Sequence, residues 1–261
     1  MSDILKRTDK DNVAYLVLND LPANSLTMSM MQAIQQELKS IDEDKTIRVV
    51  VIESASESIF CSGHNLKEVK SMVEQQDVQS QKALFSECSN MMKRIQGLSK
   101  PVIAKVKGIA TAAGAQLVAS CDLAYGSLDS KYATPGVNLG LFCHTPSVAV
   151  SRVIGRKPMM EMLLIGAPID AEKAQKIGLI NEAVEQNALD QKISQVCKEI
   201  CLKSSQVLAM GKKSFYRQSE MPLSDAYDYT SAQMVENLTL NDANEGISAF
   251  IDKRNPEWKD N

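Results

Sequence analysis

The chain has 261 residues, 29 basic and 32 acidic side chains, a formal net charge of -3 and 44% hydrophobic residues. That is enough for one large α/β domain or two smaller ones with a substantial core, while scattered basic residues exclude an evident polyanion-binding face, so no nucleic acid partner is expected. No apolar run approaches the ~20 residues that cross a bilayer, so no membrane partner is expected. The N-terminal Met1-Ser2-Asp3-Ile4-Leu5-Lys6-Arg7 lacks an apolar signal core, which makes cytoplasmic the expected location.

In chain order, Val13 to Leu18 is apolar on both faces and predicts a strand. Met31, Ile34, Leu38 and Ile41 follow helical spacing and predict an amphipathic helix over 27–42. Val49-Val50-Val51-Ile52 predicts a buried strand of the parallel type. Leu84, Cys88, Met91 and Ile95 predict another helix, and Val102 to Val106, opened by Pro101, the next strand. A short helix over 113–120 and a strand at Leu123-Ala124-Tyr125 follow. Strands alternating with helices predict a parallel sheet covered by helices.

From residue 156 the pattern turns helical. Ala171 to Ile177 predicts a helix closed by Gly178, a suitable C-cap, and Leu179-Ile180 is a brief apolar return. Helices near 188–203, 206–217, 222–237 and 242–254 complete the chain. No Pro/Ser linker divides it, so the expectation is an α/β core over 1–200 and a helical oligomerisation region over 201–261. The six cysteines form no CxxC pair; Cys197 and Cys201, four apart on a helix, read as a buried face, so reduced thiols and no metal are expected.

Two turn segments about fifty residues apart carry the chemistry: Phe60-Cys61-Ser62-Gly63-His64-Asn65-Leu66-Lys67 and Gly108-Ile109-Ala110-Thr111-Ala112-Ala113-Gly114-Ala115-Gln116. Each packs small residues where a strand gives way to a helix. Such turns present bare backbone N–H groups, and two that converge on one carbonyl oxygen make an oxyanion hole.

These segments, with Pro101-Val102-Ile103-Ala104-Lys105-Val106-Lys107-Gly108, Cys121-Asp122-Leu123-Ala124, Gly166-Ala167-Pro168-Ile169-Asp170-Ala171 and Glu245-Gly246-Ile247-Ser248-Ala249-Phe250-Ile251-Asp252-Lys253-Arg254, resemble the crotonase superfamily, also called enoyl-CoA hydratase/isomerase. The resemblance runs over about residues 4–258. It implies an α/β fold, a spiral core of ββα turns followed by a helical trimerisation region, in homotrimers or dimers of trimers. It implies an acyl-CoA thioester as ligand, with coenzyme A part of the substrate and no permanently bound cofactor.

By the same resemblance the oxyanion hole uses the N–H groups of His64 and Ala113. CoA is placed along Ala23, Asn24, Ser25 and Leu26 and along Ser62 to Leu66, including Asn65; Phe250 and Lys253 of a neighbouring copy approach the nucleotide end. Hydratases of the family use two glutamates, and the resemblance sets Gln116 and Gly136 at those positions. Each positioned acid or base is worth ~10²–10⁴ in rate, so efficient hydration is not expected. Some methylmalonyl-CoA decarboxylases of the superfamily are similar in the Gly-His-Asx turn and in Asn138-Leu139-Gly140, but carry a tyrosine where this chain has Phe142 and Cys143. A decarboxylase, a thioester hydrolase and a non-catalytic acyl-CoA binder therefore stand as alternatives. His144 reads either as an acid or base or as a helix-entry residue, and Asp122 as a structural hydrogen-bond acceptor.

Overall fold

The chain opens with a hairpin, β1 (Leu5–Lys10) antiparallel to β2 (Val13–Leu18). Asp11 and Asn12 turn it, both at positive φ, a conformation that short polar side chains tolerate. Then come α1 (Met28–Glu43), β3 (Val49–Ser54), β4 (Ile59–Cys61), α2 (Leu66–Glu74) and α3 (Val78–Gly97). The middle of the chain runs β5 (Val102–Val106), β6 (Ile109–Thr111), α4 (Ala113–Ser120), β7 (Leu123–Ser127), β8 (Lys131–Ala133), a 3-10 turn at Pro135–Leu139 and α5 (His144–Val150). Next are α6 (Arg156–Ile165), β9 (Ile169–Asp170), α7 (Ala171–Ile177), β10 (Glu182–Val184) and α8 (Leu189–Cys201). The chain finishes with α9 (Ser205–Gln218), α10 (Leu223–Asn237) and α11 (Asn241–Ile251). This computed structural model describes residues 3–260.

One unit is repeated. A strand of a six-stranded sheet, ordered β1-β2-β3-β5-β7-β10, is followed by a strand of a four-stranded sheet, ordered β4-β6-β8-β9, and then by a helix. The units are β3-β4-α2, β5-β6-α4 and β7-β8-α5, and the successive strands pair parallel in both sheets. This is the expected spiral of ββα turns. It brings β4 and β6 side by side, so the chain leaves both strands toward their helices at one place.

Helices cover both faces of the large sheet. Val49 to Ile52 are fully buried, as an apolar run in a two-sided parallel sheet requires. Met30, Met31, Ile34, Leu38 and Ile41 of α1 join Leu84, Cys88, Met91 and Ile95 of α3 in one core. Leu189, Ile193 and Cys197 of α8 close the opposite face against Val13, Val49, Val51, Ile103 and Tyr125. Cys197 is thus a core residue; all six cysteines are free, and no cluster suited to a metal occurs among the described residues.

The sequence reading differs from the fold in several places. The return to the sheet is Glu182–Val184, while Leu179 and Ile180 are buried beneath it after the Gly178 cap. The last helix ends at Ile251 rather than at 254. Strands of two or three residues (β4, β6, β8, β9, β10) are too short to show a period, and β1 is largely polar because it forms the sheet edge.

Asp122, expected as a hydrogen-bond acceptor, joins α9 to the sheet. One oxygen accepts from Val102 N–H (2.7 Å) and Lys212 Nζ (2.6 Å), the other from Tyr216 Oη (2.9 Å). Lys212 also donates to the carbonyls of Ile95 and Lys100, each at 3.0 Å, so its three protons have three acceptors. Burial holds its pKa below the usual lysine value despite the facing carboxylate.

Two outcomes follow. Lys212→Met leaves the Asp122 charge uncompensated and is expected to cost about 3–5 kcal/mol in denaturant unfolding. Gly114→Ala places a Cβ 2.1 Å from the Cys61 carbonyl oxygen and is expected to cost on the order of 3 kcal/mol. Gly211→Ala, in the middle of α9 and facing open space, is the matched control and is expected to stabilise by about 0.5–1 kcal/mol.

Candidate active site

The site begins at two turns that touch through backbone. In the first, between β4 and α2, Gly63 takes φ +86, and Ser62 and Gly63 are tied to the 23–26 segment. Ser62 N–H donates to the Ala23 carbonyl (3.1 Å), Leu26 N–H donates to the Gly63 carbonyl (2.8 Å), and the hydroxyls of Ser25 and Ser62 lie 3.2 Å apart. The second turn, between β6 and α4, passes through Ala112 at φ 50 and ψ -118. That backbone is strained for a residue with a Cβ, by ~1–3 kcal/mol, and such strain concentrates at functional sites. It is held by Ala112 N–H donating to the Ala133 carbonyl (2.9 Å) and by Gln116 N–H donating back to the Ala112 carbonyl (3.1 Å). Thr111 Oγ1 donates across to the Ser62 carbonyl at 3.0 Å and fastens one turn to the other.

Only glycine fits where they meet. A Cβ on Gly63 would sit 3.0 Å from both Ala112 Cβ and Ala113 N, and one on Gly114 would overlap the Cys61 carbonyl. The contact leaves two backbone donors free: neither His64 N–H nor Ala113 N–H finds an acceptor among the described residues. Ala113 is the first residue of α4, so its N–H has no partner in the helix and lies at the positive end of the helix dipole.

Both turns border a cavity of about 710 Å³. Leu66 and Val69 of α2 and Phe85 of α3 form one side; Pro135, Gly136 and Leu139 to Pro146 form the other. His64, Cys143 and His144 are its titratable side chains, and no carboxylate lines it among the described residues.

His64 is held on two sides. Its Nδ1 lies 3.1 Å from the Leu26 carbonyl, which makes Nδ1 the donor and leaves Nε2 a lone pair. Its ring meets Phe85 edge-on, with centroids 5.3 Å apart. Nε2 is buried with no partner among the described residues. Burial pushes the imidazole pKa down, against the opposing effects of the Leu26 carbonyl and Glu68, so the ring is neutral at pH 7.

The other expected residues divide. Ser62 and Leu66 line the cavity, whereas Ala23, Ser25, Leu26 and Asn65 do not; the first three brace the Ser62 turn from behind. Asn65 caps α2, accepting from Lys67 N–H at 3.0 Å. Gly136 lines the cavity and donates its N–H to Cys143 Sγ at 3.3 Å; a Cβ there would meet that sulfur at 3.0 Å. Gln116 does not line it. Its side chain is 4% exposed, with Oε1 4.0 Å from Cys88 Sγ of α3. His144 is a helix-entry residue, the first of α5, and its exposed side chain stands in the cavity wall, 5.0 Å from the Phe142 ring. Phe250 is 85% exposed on α11 and Lys253 follows that helix; within one chain neither borders the cavity. Phe85 was missed by the sequence reading; its signal is a bulky aromatic on the exposed side of α3, 41% accessible.

The family model described as Enoyl-CoA hydratase/isomerase matches residues 8–261. The Xenopus laevis protein named Enoyl-CoA hydratase domain-containing protein 3, mitochondrial, is 44% identical over 94% of this chain and 83% of its own length. The crystal structure of an enoyl-CoA hydratase from Mycobacterium smegmatis superposes with TM-score 0.93 at 41% identity, covering 98% of this chain and 99% of the other. That of human enoyl Coenzyme A hydratase domain-containing protein 3 gives 0.93 at 39%, covering 98% and 100%. The Xenopus protein and its rat, mouse, human and zebrafish counterparts are all named as mitochondrial, which contradicts the cytoplasmic expectation. Composition and charge describe the folded domain and carry no compartment address.

The depressed pKa of His64 has a sign that can be measured. The unfolded imidazole titrates near its ordinary value of about 6.5, and the folded one below it, so the folded state binds fewer protons in between. The His64 contribution to stability is therefore present above about 6.5 and is lost as pH falls toward the folded value. Denaturant unfolding at pH 7.5 and 5.5 is expected to show a decrease that His64→Asn makes smaller.

Proposed function

The chain belongs to the enoyl-CoA hydratase/isomerase family, and from that membership we propose that it binds acyl-CoA thioesters and stabilises a thioester enolate between the backbone N–H groups of His64 and Ala113. The observation that carries this reading is the pair of free donors at two interlocked turns, opening on a mainly apolar cavity. An enolate places its charge on the thioester oxygen. Two fixed donors about 3 Å away supply what water otherwise would, and removing one such donor costs ~10²–10³ in turnover. The small side chains at 112 to 114 let the thioester reach the backbone.

The side chains at 116 and 136 supply no acid or base. Gln116 is turned into the core and Gly136 has no side chain, so hydration through those two positions is not the chemistry we propose. The same carboxylate-free lining favours decarboxylation as the second reading, because loss of CO₂ generates the enolate without a base. The apolar side chains exposed on α10 and α11, among them Leu223, Tyr227, Met234 and Phe250, suit burial between copies of the chain. We propose a homotrimer or dimer of trimers in which Phe250 and Lys253 approach the CoA nucleotide of a neighbouring copy. Relatives named as mitochondrial support that compartment.

Mass spectrometry of crotonyl-, butyryl-, malonyl- and methylmalonyl-CoA incubated with the protein tests the reading, together with acetyl-CoA calorimetry. Saturable binding and conversion of at least one thioester are expected. Gly63→Ala, which pushes the first turn off Ala113 N, is expected to lower turnover about 10²–10³-fold, whereas Ala113→Gly is expected to be mild. No binding heat at millimolar thioester, or full turnover by a folded Gly63→Ala variant, overturns it.

A further inference from the structure

The strands that lead into the two turns pair only as far as Cys61 opposite Ala110. Past that pair the backbone donors turn to other partners. Ser62 N–H goes to the Ala23 carbonyl, and Ala112 N–H goes to the Ala133 carbonyl at the end of β8. Neither bond sets one turn against the other. Among the described residues one hydrogen bond joins the 62–66 turn to the 111–114 turn, and a side chain makes it: Thr111 Oγ1 donates to the Ser62 carbonyl at 3.0 Å. Thr111 is the last residue of β6, precedes the strained Ala112 and borders the cavity. Its own carbonyl oxygen lies 3.1 Å from where a Cβ on Gly63 would sit. It therefore meets both residues that precede His64 in one turn, and stands two residues before Ala113 in the other.

We propose that Thr111 is a positioning residue of the oxyanion site: its hydroxyl, held on the Ser62 carbonyl, sets the separation and mutual angle of the His64 and Ala113 N–H groups. The proposal rests on the acyl-CoA reading above. A thioester oxygen gains from both donors only when both reach it at about 3 Å. A misplacement of about 1 Å at a reacting centre can cost ~10²-fold in rate. The first turn is the one that needs an anchor. It passes through Gly63 at φ +86, a residue with no Cβ to restrict it, and its remaining ties run to the 23–26 segment. Ala113 already has its place as the first residue of α4.

The residue type fits this role. A β-branched side chain has few χ1 wells open to it, so the threonine hydroxyl keeps a defined direction, whereas serine at the same place would hold it less firmly. Valine has nearly the same shape and no donor, so filling space does not by itself call for threonine. The hydroxyl proton lies on the Ser62 carbonyl, so Thr111 acts on the ligand through the turn. Loss of the bond leaves the apolar walls that receive the acyl group as they are, and it loosens the donor pair. Binding therefore persists while polarisation of the thioester carbonyl weakens.

The test compares wild type, Thr111→Val and Thr111→Ser in the full-length protein, with Thr111→Ala as a second variant without the donor and circular dichroism to check each fold. Acetyl-CoA isotope-labelled at its carbonyl carbon is followed by difference infrared spectroscopy, because the C=O stretch falls in frequency as its oxygen accepts hydrogen bonds. Calorimetry gives the affinity, and the best-converted thioester of the panel above gives kcat and KM. Wild type is expected to lower the carbonyl frequency below that of free acetyl-CoA. Thr111→Val and Thr111→Ala are expected to lose most of that shift, and their kcat is expected to fall about 10²-fold with KM nearly unchanged. Thr111→Ser, which keeps the donor, is expected to recover the greater part of both. A full shift in a folded variant without the donor overturns the proposal. Equal losses in Thr111→Val and Thr111→Ser also overturn it, since they assign the effect to shape rather than to the hydroxyl. Wild type that binds no acetyl-CoA, or binds it without a shift, instead defeats the acyl-CoA and oxyanion reading itself, so the two failures are distinguishable.

Discussion

The cavity depends on one close approach, the Cys61 carbonyl against the α-carbon of Gly114. That contact has no room for a side chain. It brings the end of β4 against the start of α4 at backbone distance, and Gly63 against the Ala113 nitrogen. The turns that carry the two free N–H groups are held by backbone hydrogen bonds, Ser62 N–H to the Ala23 carbonyl and Ala112 N–H to the Ala133 carbonyl, and by Thr111 Oγ1 on the Ser62 carbonyl. N–H groups held this way keep their orientation whether or not a ligand is present. The strained Ala112 is part of the same device, because its conformation turns the chain from β6 into α4 without moving Ala113 away.

That approach is a product of the fold's repetition. Each ββα unit sends its second strand into the small sheet, so neighbouring units end their strands side by side. The helices that follow start from one place. The buried Lys212–Asp122 pair then fastens the helical layer, with Tyr216 on the second carboxylate oxygen and two carbonyls on the ammonium. Beyond that anchor the packing becomes sparse. α10 and α11 bury Ala226, Asp242 and Ala249, and leave most of their large apolar side chains in solvent. The Asp242 carboxylate accepts the backbone N–H groups of Lys259 and Asp260, so the last residues lie back on this layer rather than over the cavity.

The cavity is mainly apolar, and the titratable side chains that line it among the described residues are His64, Cys143 and His144 rather than carboxylates. A carboxylate inside such a wall would have to be paired or neutralised. An imidazole survives there because it can be buried neutral, with one nitrogen on a carbonyl, as His64 is on Leu26. Cys143 fills the space where a side chain at 136 would begin, although Gly136 itself lines the cavity, and α3 supplies Cys88 beside the buried Gln116, which does not line it.

The sequence by itself determined the long elements. The all-apolar run of β3 and the helical spacing in α1 and α3 bury without ambiguity, and Gly178 ends α7 as an αL cap. It also determined the two turns, since runs of Gly and Ala between strand and helix serve close packing, and it marked Asp122 as an acceptor. Only the tertiary structure decided which turn meets which, because strands of three residues carry no periodicity and their pairing is a property of the sheet. It alone turned Gln116 into the core, placed His144 in the cavity wall, brought in Phe85 from a helix twenty residues away, and left Nε2 of His64 and Oε2 of Glu68 without partners. A side chain's direction and its unmet hydrogen bonds are set by what packs around it, and one-dimensional spacing does not carry that.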